Sequence, residues 1–192
     1  KRSMTLWIAI LGGLFVPGIM FLVLMRRPKL LPGMYGAGNF WEKLWNQSWE
    51  SMALMLVPMI IILVTSVITQ IEFRNNTWKQ VHTSPQPLAA IFFAKLTVIL
   101  VVLLAFIVIF NAGTYVTGIA PAILTGTSMA ASPIPFRSFA VQNAIYCIDS
   151  LPIVAIQYLL ALHFRNFMVP LGVGMGLWLL SIGFLSWEYI YL

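Results

Sequence analysis

Long apolar runs separated by short polar stretches set the pattern of this chain. Uncharged runs occupy residues 4–25 and 51–71, and further apolar runs occupy 87–110, 139–164 and 167–187. The hydrocarbon core of a bilayer is about 30 Å thick, so a spanning α-helix needs roughly 20 apolar residues. Each run meets that length, and together they predict five transmembrane helices. Lys1 and Arg2 precede the first run as they would in a signal peptide. That run is too long for one and lacks a small-residue cleavage site, which fits a spanning helix better. Pro17 inside it predicts a kink that neighbouring helices can tolerate. Lys95 lies near one end of the third run, where it can snorkel to the interface. After the fifth run, Trp187, Tyr189 and Tyr191 resemble an aromatic belt at the membrane surface.

Three connections carry most of the polar residues. Residues 26–50 contain Pro28, Pro32, Gly33, Gly36 and Gly38, then Trp41, Trp45 and Trp49 at a spacing of four. That spacing predicts a helix lying in the membrane interface. Residues 72–86 are short, polar and mixed in charge. Residues 111–137 are rich in Gly, Ala, Thr, Ser and Pro and carry no charge before Arg137. This last stretch reads as a surface loop, a re-entrant hairpin or a weak extra span over 113–131. Its composition favours a non-spanning segment. The fold class expected is therefore all-α, a single polytopic helical bundle over residues 1–192.

Composition agrees. Hydrophobic residues make up 60% of the 192 and charged residues 8%, against about 25% charged in a soluble domain. The formal net charge of +6 comes from basic residues at the ends of apolar runs. There they meet lipid headgroups, and no basic stripe with interleaved aromatics points to nucleic acid. With the N-terminus inside, six basic residues fall inside and five outside, so the positive-inside rule does not orient the chain. The single cysteine, Cys147, lies in an apolar run and reads as a small packing residue.

Asp149 is the one acidic residue deep in a run, and a charge at that depth usually faces a bundle interior, a cavity or a partner. At 100° per residue, Gln142, Asn143, Tyr146, Asp149 and Gln157 share about a third of the helix circumference. That polar stripe lines a substrate path or a subunit interface, or else forms a hydrogen-bond network inside the bundle. No second buried acid or histidine accompanies Asp149 for proton relay. His82 lies in a connection and His163 at a helix end, so they make no haem pair. The ten methionines are scattered and read as packing residues. Gly172 and Gly176 form a GxxxG that permits close helix approach, within the chain or between copies, and Gly12 and Gly13 offer the same on the first run. No Walker loop, metal-ligand spacing or paired nucleophile and base is present.

The connection 72–86 holds Glu72 and Arg74, then Asn75-Asn76-Thr77-Trp78-Lys79, then Ser84-Pro85, with Lys95-Leu96 entering the next helix. Such a stretch serves as a plain solvated connector or as a short amphipathic surface helix. Its pattern resembles the permeases of type-2 ATP-binding-cassette exporters, most of all the small bacterial subset linked to lantibiotic immunity and bacitracin resistance. The resemblance implies six spans, one more than the five read here, with a sixth expected outside the chain. It implies a plasma-membrane location, with 72–84 inside and 26–50 outside. It further implies that Glu72, Arg74, Asn76, Thr77, Trp78 and Lys79 couple to a separate ATPase subunit that holds ATP and Mg. A second permease copy or paralogue would complete the membrane core, and this chain would bind no cofactor itself. The rivals are an anchoring subunit without an ATPase, for which 72–84 tolerates substitution, and an intramembrane enzyme abolished by Asp149→Asn.

Overall fold

The computed structural model describes residues 2–74, 87–130, 132–164 and 166–185, and every regular element among them is helical. Helix α1 covers Arg2–Arg26. A short 3-10 turn at Pro28–Leu30 leads into α2, Leu31–Gly36, and then α3, Phe40–Ser51. A π-helical turn at Met52–Leu56 joins α3 to α4, Val57–Arg74. Then follow α5, Leu88–Thr125, α6, Phe136–His163, and α7, Met168–Leu185. Four stretches are long and apolar enough to cross a membrane: Thr5–Arg26, Phe40–Gln70, Ala89–Thr125 and Phe136–His163. Met168–Phe184 is a shorter apolar helix. The aromatic cluster at Trp187, Tyr189 and Tyr191 lies outside the described residues.

Two boundaries differ from those expected. The second helical stretch begins at Phe40 rather than at residue 51. Glu42, Lys43, Asn46 and Glu50 interrupt the apolar run in sequence, yet they occupy the exposed face of α3. Its other face, with Phe40, Trp41, Leu44, Trp45, Ser48 and Trp49, is buried. The tryptophans expected in the interface are thus packed inside protein. The third helix does not end at residue 110 but continues to Thr125, so 111–125 is helical rather than a loop. The small residues there are contact surface, not loop formers. The helix ends at Gly126, whose φ of 67° glycine adopts without strain. Thr127 N–H then donates to Ala122 O at 3.0 Å, the closing bond of a Schellman cap.

The chain falls into two compact units, one of Lys1–Leu56 with Leu104–Ile148, the other of Val57–Leu103 with Asp149–Leu192. In the first, α1 meets the C-terminal half of α5 at glycines. A Cβ on Gly13 would come within 3.0 Å of Ile109 Cγ2 and Phe106 O, and one on Gly113 within 3.0 Å of the Pro17 ring. Thr117 Oγ1 donates to Pro17 O at 3.0 Å. Lipid tails are as apolar as leucine, so close backbone approach and interhelical hydrogen bonds, rather than apolar burial alone, hold membrane helices together. Tyr35 of α2 donates its hydroxyl to Gly118 O at 2.9 Å. Burial pushes the Tyr35 phenol above its usual range, so it stays a donor through neutral pH.

In the second unit, α4 packs on α7. Gly174 is buried, and a Cβ there would lie 2.6 Å from Gln157 Oε1 and 2.9 Å from Ile62 Cγ1. Gln157, itself 3% exposed, donates Nε2 to Pro170 O at 2.8 Å. Tyr158 donates its hydroxyl to Phe92 O at 2.9 Å and lies against the Phe92 ring. Gly174, which lies between the two glycines of the GxxxG, is therefore a packing glycine of α7. A Cβ on Gly172 or Gly176 would meet no atom of another element among the described residues. Two residues turn a helix by about 200°, so Gly174 lies on nearly the opposite side from both.

Candidate functional site

The first unit holds an aromatic-lined cavity, and α3 builds one wall of it. Tryptophan at every fourth position places three indoles along one face, and each stacks on a ring from another helix. Trp41 stacks on Tyr115 of α5 at 5.7 Å between centroids. Trp45 stacks on Phe139 of α6 at 4.0 Å and 3°. Trp49 stacks on Tyr146 of α6 at 4.3 Å and meets Phe110 of α5 edge-on at 5.0 Å. Gly118 makes room for the first of these, since a Cβ there would strike the Trp41 ring. The side chains of Ser48 and Trp49 are buried, and Ser48 Oγ and Trp49 Nε1 find no hydrogen-bond partner among the described residues.

Between α3, α5 and α6 the rings line an open-sided cavity of about 560 Å³. Its walls are Trp41 and Trp45, Leu104, Ile107, Val108 and Tyr115, then Phe136, Phe139, Ala140, Ala144 and Cys147, with Ile134 from the connection. Three polar side chains, Asn111, Thr114 and Asn143, also line it, and each is bonded within the protein. Asn111 Nδ2 donates to Asn143 Oδ1 at 3.1 Å, and Asn143 Nδ2 returns a bond to Asn111 Oδ1 at 2.9 Å. Asn111 Nδ2 also donates to Ile107 O at 2.7 Å, and Thr114 Oγ1 to Phe110 O at 3.0 Å. With these bonds made within the protein, the walls present mainly apolar and aromatic surface. Ligand sites typically occupy about 300–1,000 Å³ with mostly apolar walls, and this cavity falls in that range.

The reciprocal amide pair ties α5 to α6. Asn143→Leu is expected to lower thermal stability in detergent by about 1 kcal/mol, the scale of interhelical polar contacts in membranes. Adding Asn111→Leu is expected to cost less than the sum of the two single changes, because neither amide is then left unpaired. Melting curves of the two single variants and the double variant check this.

The polar stripe of α6 divides between the units. Asn143 lines the cavity, Gln142 Oε1 accepts the Trp45 indole N–H at 2.8 Å, and Tyr146 stacks on Trp49. Asp149 and Gln157 belong to the second unit: Gln157 is buried, whereas Asp149 is exposed on the chain. Glu72 and Arg74 close α4, while Asn76, Thr77, Trp78 and Lys79 lie outside the described residues. Among the described residues, no three His, Cys, Asp or Glu side chains come together as a metal site. Sequence reasoning missed Asn111, Tyr115 and Gly118. The spacings Gly113 to Thr117 and Thr114 to Gly118, small residues four apart, were the signal that marks a close helix contact.

No curated protein and no solved structure matches the chain. A profile described as ABC-2 family transporter protein matches residues 1–181, nearly the whole length. With this match across its apolar helices, the chain belongs to the ABC-2 family of membrane transporter proteins.

Proposed function

We propose that the chain is the permease subunit of an ATP-driven exporter in a bacterial plasma membrane, of the lantibiotic-immunity and bacitracin-resistance type. The observation that carries this reading is the family match across residues 1–181 on a chain with four membrane-length apolar helices. In this reading an ATPase on a separate chain holds ATP and Mg, the arrangement that the resemblance to type-2 exporter permeases implies and that the family match supports. The ATPase docks on residues 72–86, where Glu72, Arg74 and Lys79 offer charge and Trp78 an aromatic anchor. A second permease, a copy or a paralogue, completes the membrane core, with the open Gly172 and Gly176 face and exposed Asp149 available to it. The cargo is an amphipathic molecule such as an antimicrobial peptide. Its apolar part suits the aromatic cavity, with Asn143 and Tyr146 at the path.

Trp78→Ala and Glu72→Ala are expected to leave the protein in the membrane at normal level while transport falls at least about tenfold, the scale of losing an aromatic hot-spot contact. Resistance of expressing cells to an amphipathic antimicrobial reports it. Full resistance in both variants would remove 72–86 from the mechanism.

A further inference from the structure

We propose that a second cavity of the first unit, between α1 and α3, binds an anionic phospholipid. The cavity holds about 210 Å³, too little for a whole lipid but enough for the upper part of one acyl chain. Met20, Val23 and Leu24 of α1 face Phe40 and Leu44 across it, which makes one side apolar. Asn39, the N-cap of α3, lines it too, with Lys43 and Gln47, which lie four residues apart on one face of the helix. An ammonium with three donors between two side-chain amides suits a phosphodiester, whose charge and lone pairs all accept.

The surrounding charge selects the headgroup. Arg26, Arg27 and Lys29 lie in the chain between the lining residues Leu24 and Met34. All three are exposed, as is Lys43, and none of the four forms an ion pair among the described residues. The acidic residues of 26–50, Glu42 and Glu50, do not line the cavity. Four cations repel the quaternary amine of a zwitterionic headgroup and attract one of net negative charge. The apolar run of α1 ends at Arg26, the level at which basic residues meet headgroups. An acyl chain along Met20 and Val23 then brings its phosphate to Lys43 without leaving the membrane.

The test uses the full chain purified in neutral detergent, stripped of lipid and titrated with dioleoyl phosphatidylglycerol or dioleoyl phosphatidylcholine under native mass spectrometry. Phosphatidylglycerol is expected to bind in preference. Lys43→Ala should weaken it about fivefold, as should each further cation removed, following the pull of one basic residue at a membrane surface. Lys43→Arg should retain it. Met20→Trp keeps every charge but fills the apolar end, and it is expected to lose the lipid as well. Circular dichroism confirms the fold, and if Lys43→Ala does not fold, Met20→Trp decides. Equal binding of the two lipids, unchanged binding in Lys43→Ala or Met20→Trp, or displacement of the lipid by inorganic phosphate would overturn the proposal. None of these outcomes depends on transport or on an ATPase.

Discussion

Replacing Gly174 by leucine is expected to unfold or severely destabilise the second unit. A Cβ at this position already lies 2.6 Å from Gln157 Oε1, 2.9 Å from Gln157 Nε2 and 2.9 Å from Ile62 Cγ1. Gln157 can retreat only by giving up its bond to Pro170 O. At 3% exposure it then becomes a buried amide without a partner. Overpacking costs about 1–3 kcal/mol and the stranded amide a similar amount, so a loss of about 3 kcal/mol or more is expected. Gly172→Leu is the control: among the described residues no atom of another element lies within 4 Å of its Cβ, and leucine is the better helix former. Thermal unfolding followed by circular dichroism in detergent should separate the two variants widely. Equal melting would show that α7 does not approach Gln157 through Gly174.

Trp49→Ala carries the second large effect. Trp49 is 1% exposed, stacked on Tyr146 and edge-on to Phe110, so it joins α3 to both α5 and α6 within the first unit. Truncating a buried tryptophan in a soluble core costs about 3–5 kcal/mol. In lipid the transfer part of that cost largely vanishes, while lost dispersion and ring contacts remain, which leaves about 2 kcal/mol or more. Trp49→Phe is expected to lose much less. It keeps an aromatic ring and removes an indole N–H that has no partner among the described residues. A phenylalanine variant as unstable as the alanine one would mean that the indole nitrogen, not the stacking, holds the contact.

These sites also mark what the sequence made legible. Apolar length located the helices, because a helix that spans lipid must carry its apolar residues in one long run. The Trp41, Trp45 and Trp49 period gave a helix correctly, since a spacing of four is a helical face in any surroundings. Periodicity does not say what covers that face, and the cover proved to be Tyr115, Phe139 and Tyr146 rather than lipid. Composition misled at 111–125. Gly113, Thr117 and Gly118 look like loop residues on an insertion scale, yet inside protein they permit contact with Pro17, Tyr35 and Trp41. The polar stripe of α6 was visible at 100° per residue. Its partners were not, because Asn111 and Trp45 come from distant parts of the chain. Likewise, a GxxxG drew attention to Gly172 and Gly176, while burial selects Gly174 between them.

The function we propose makes this chain the membrane half of an ATP-driven transporter. Affinity purification of the tagged chain from its native membrane in mild detergent, with mass spectrometry of the copurifying proteins, tests it most directly. The account predicts a stoichiometric ATPase of the ATP-binding-cassette type that is lost when Glu72 and Trp78 are replaced by alanine. A chain that purifies with no ATPase, or with another enzyme complex in its place, would contradict it.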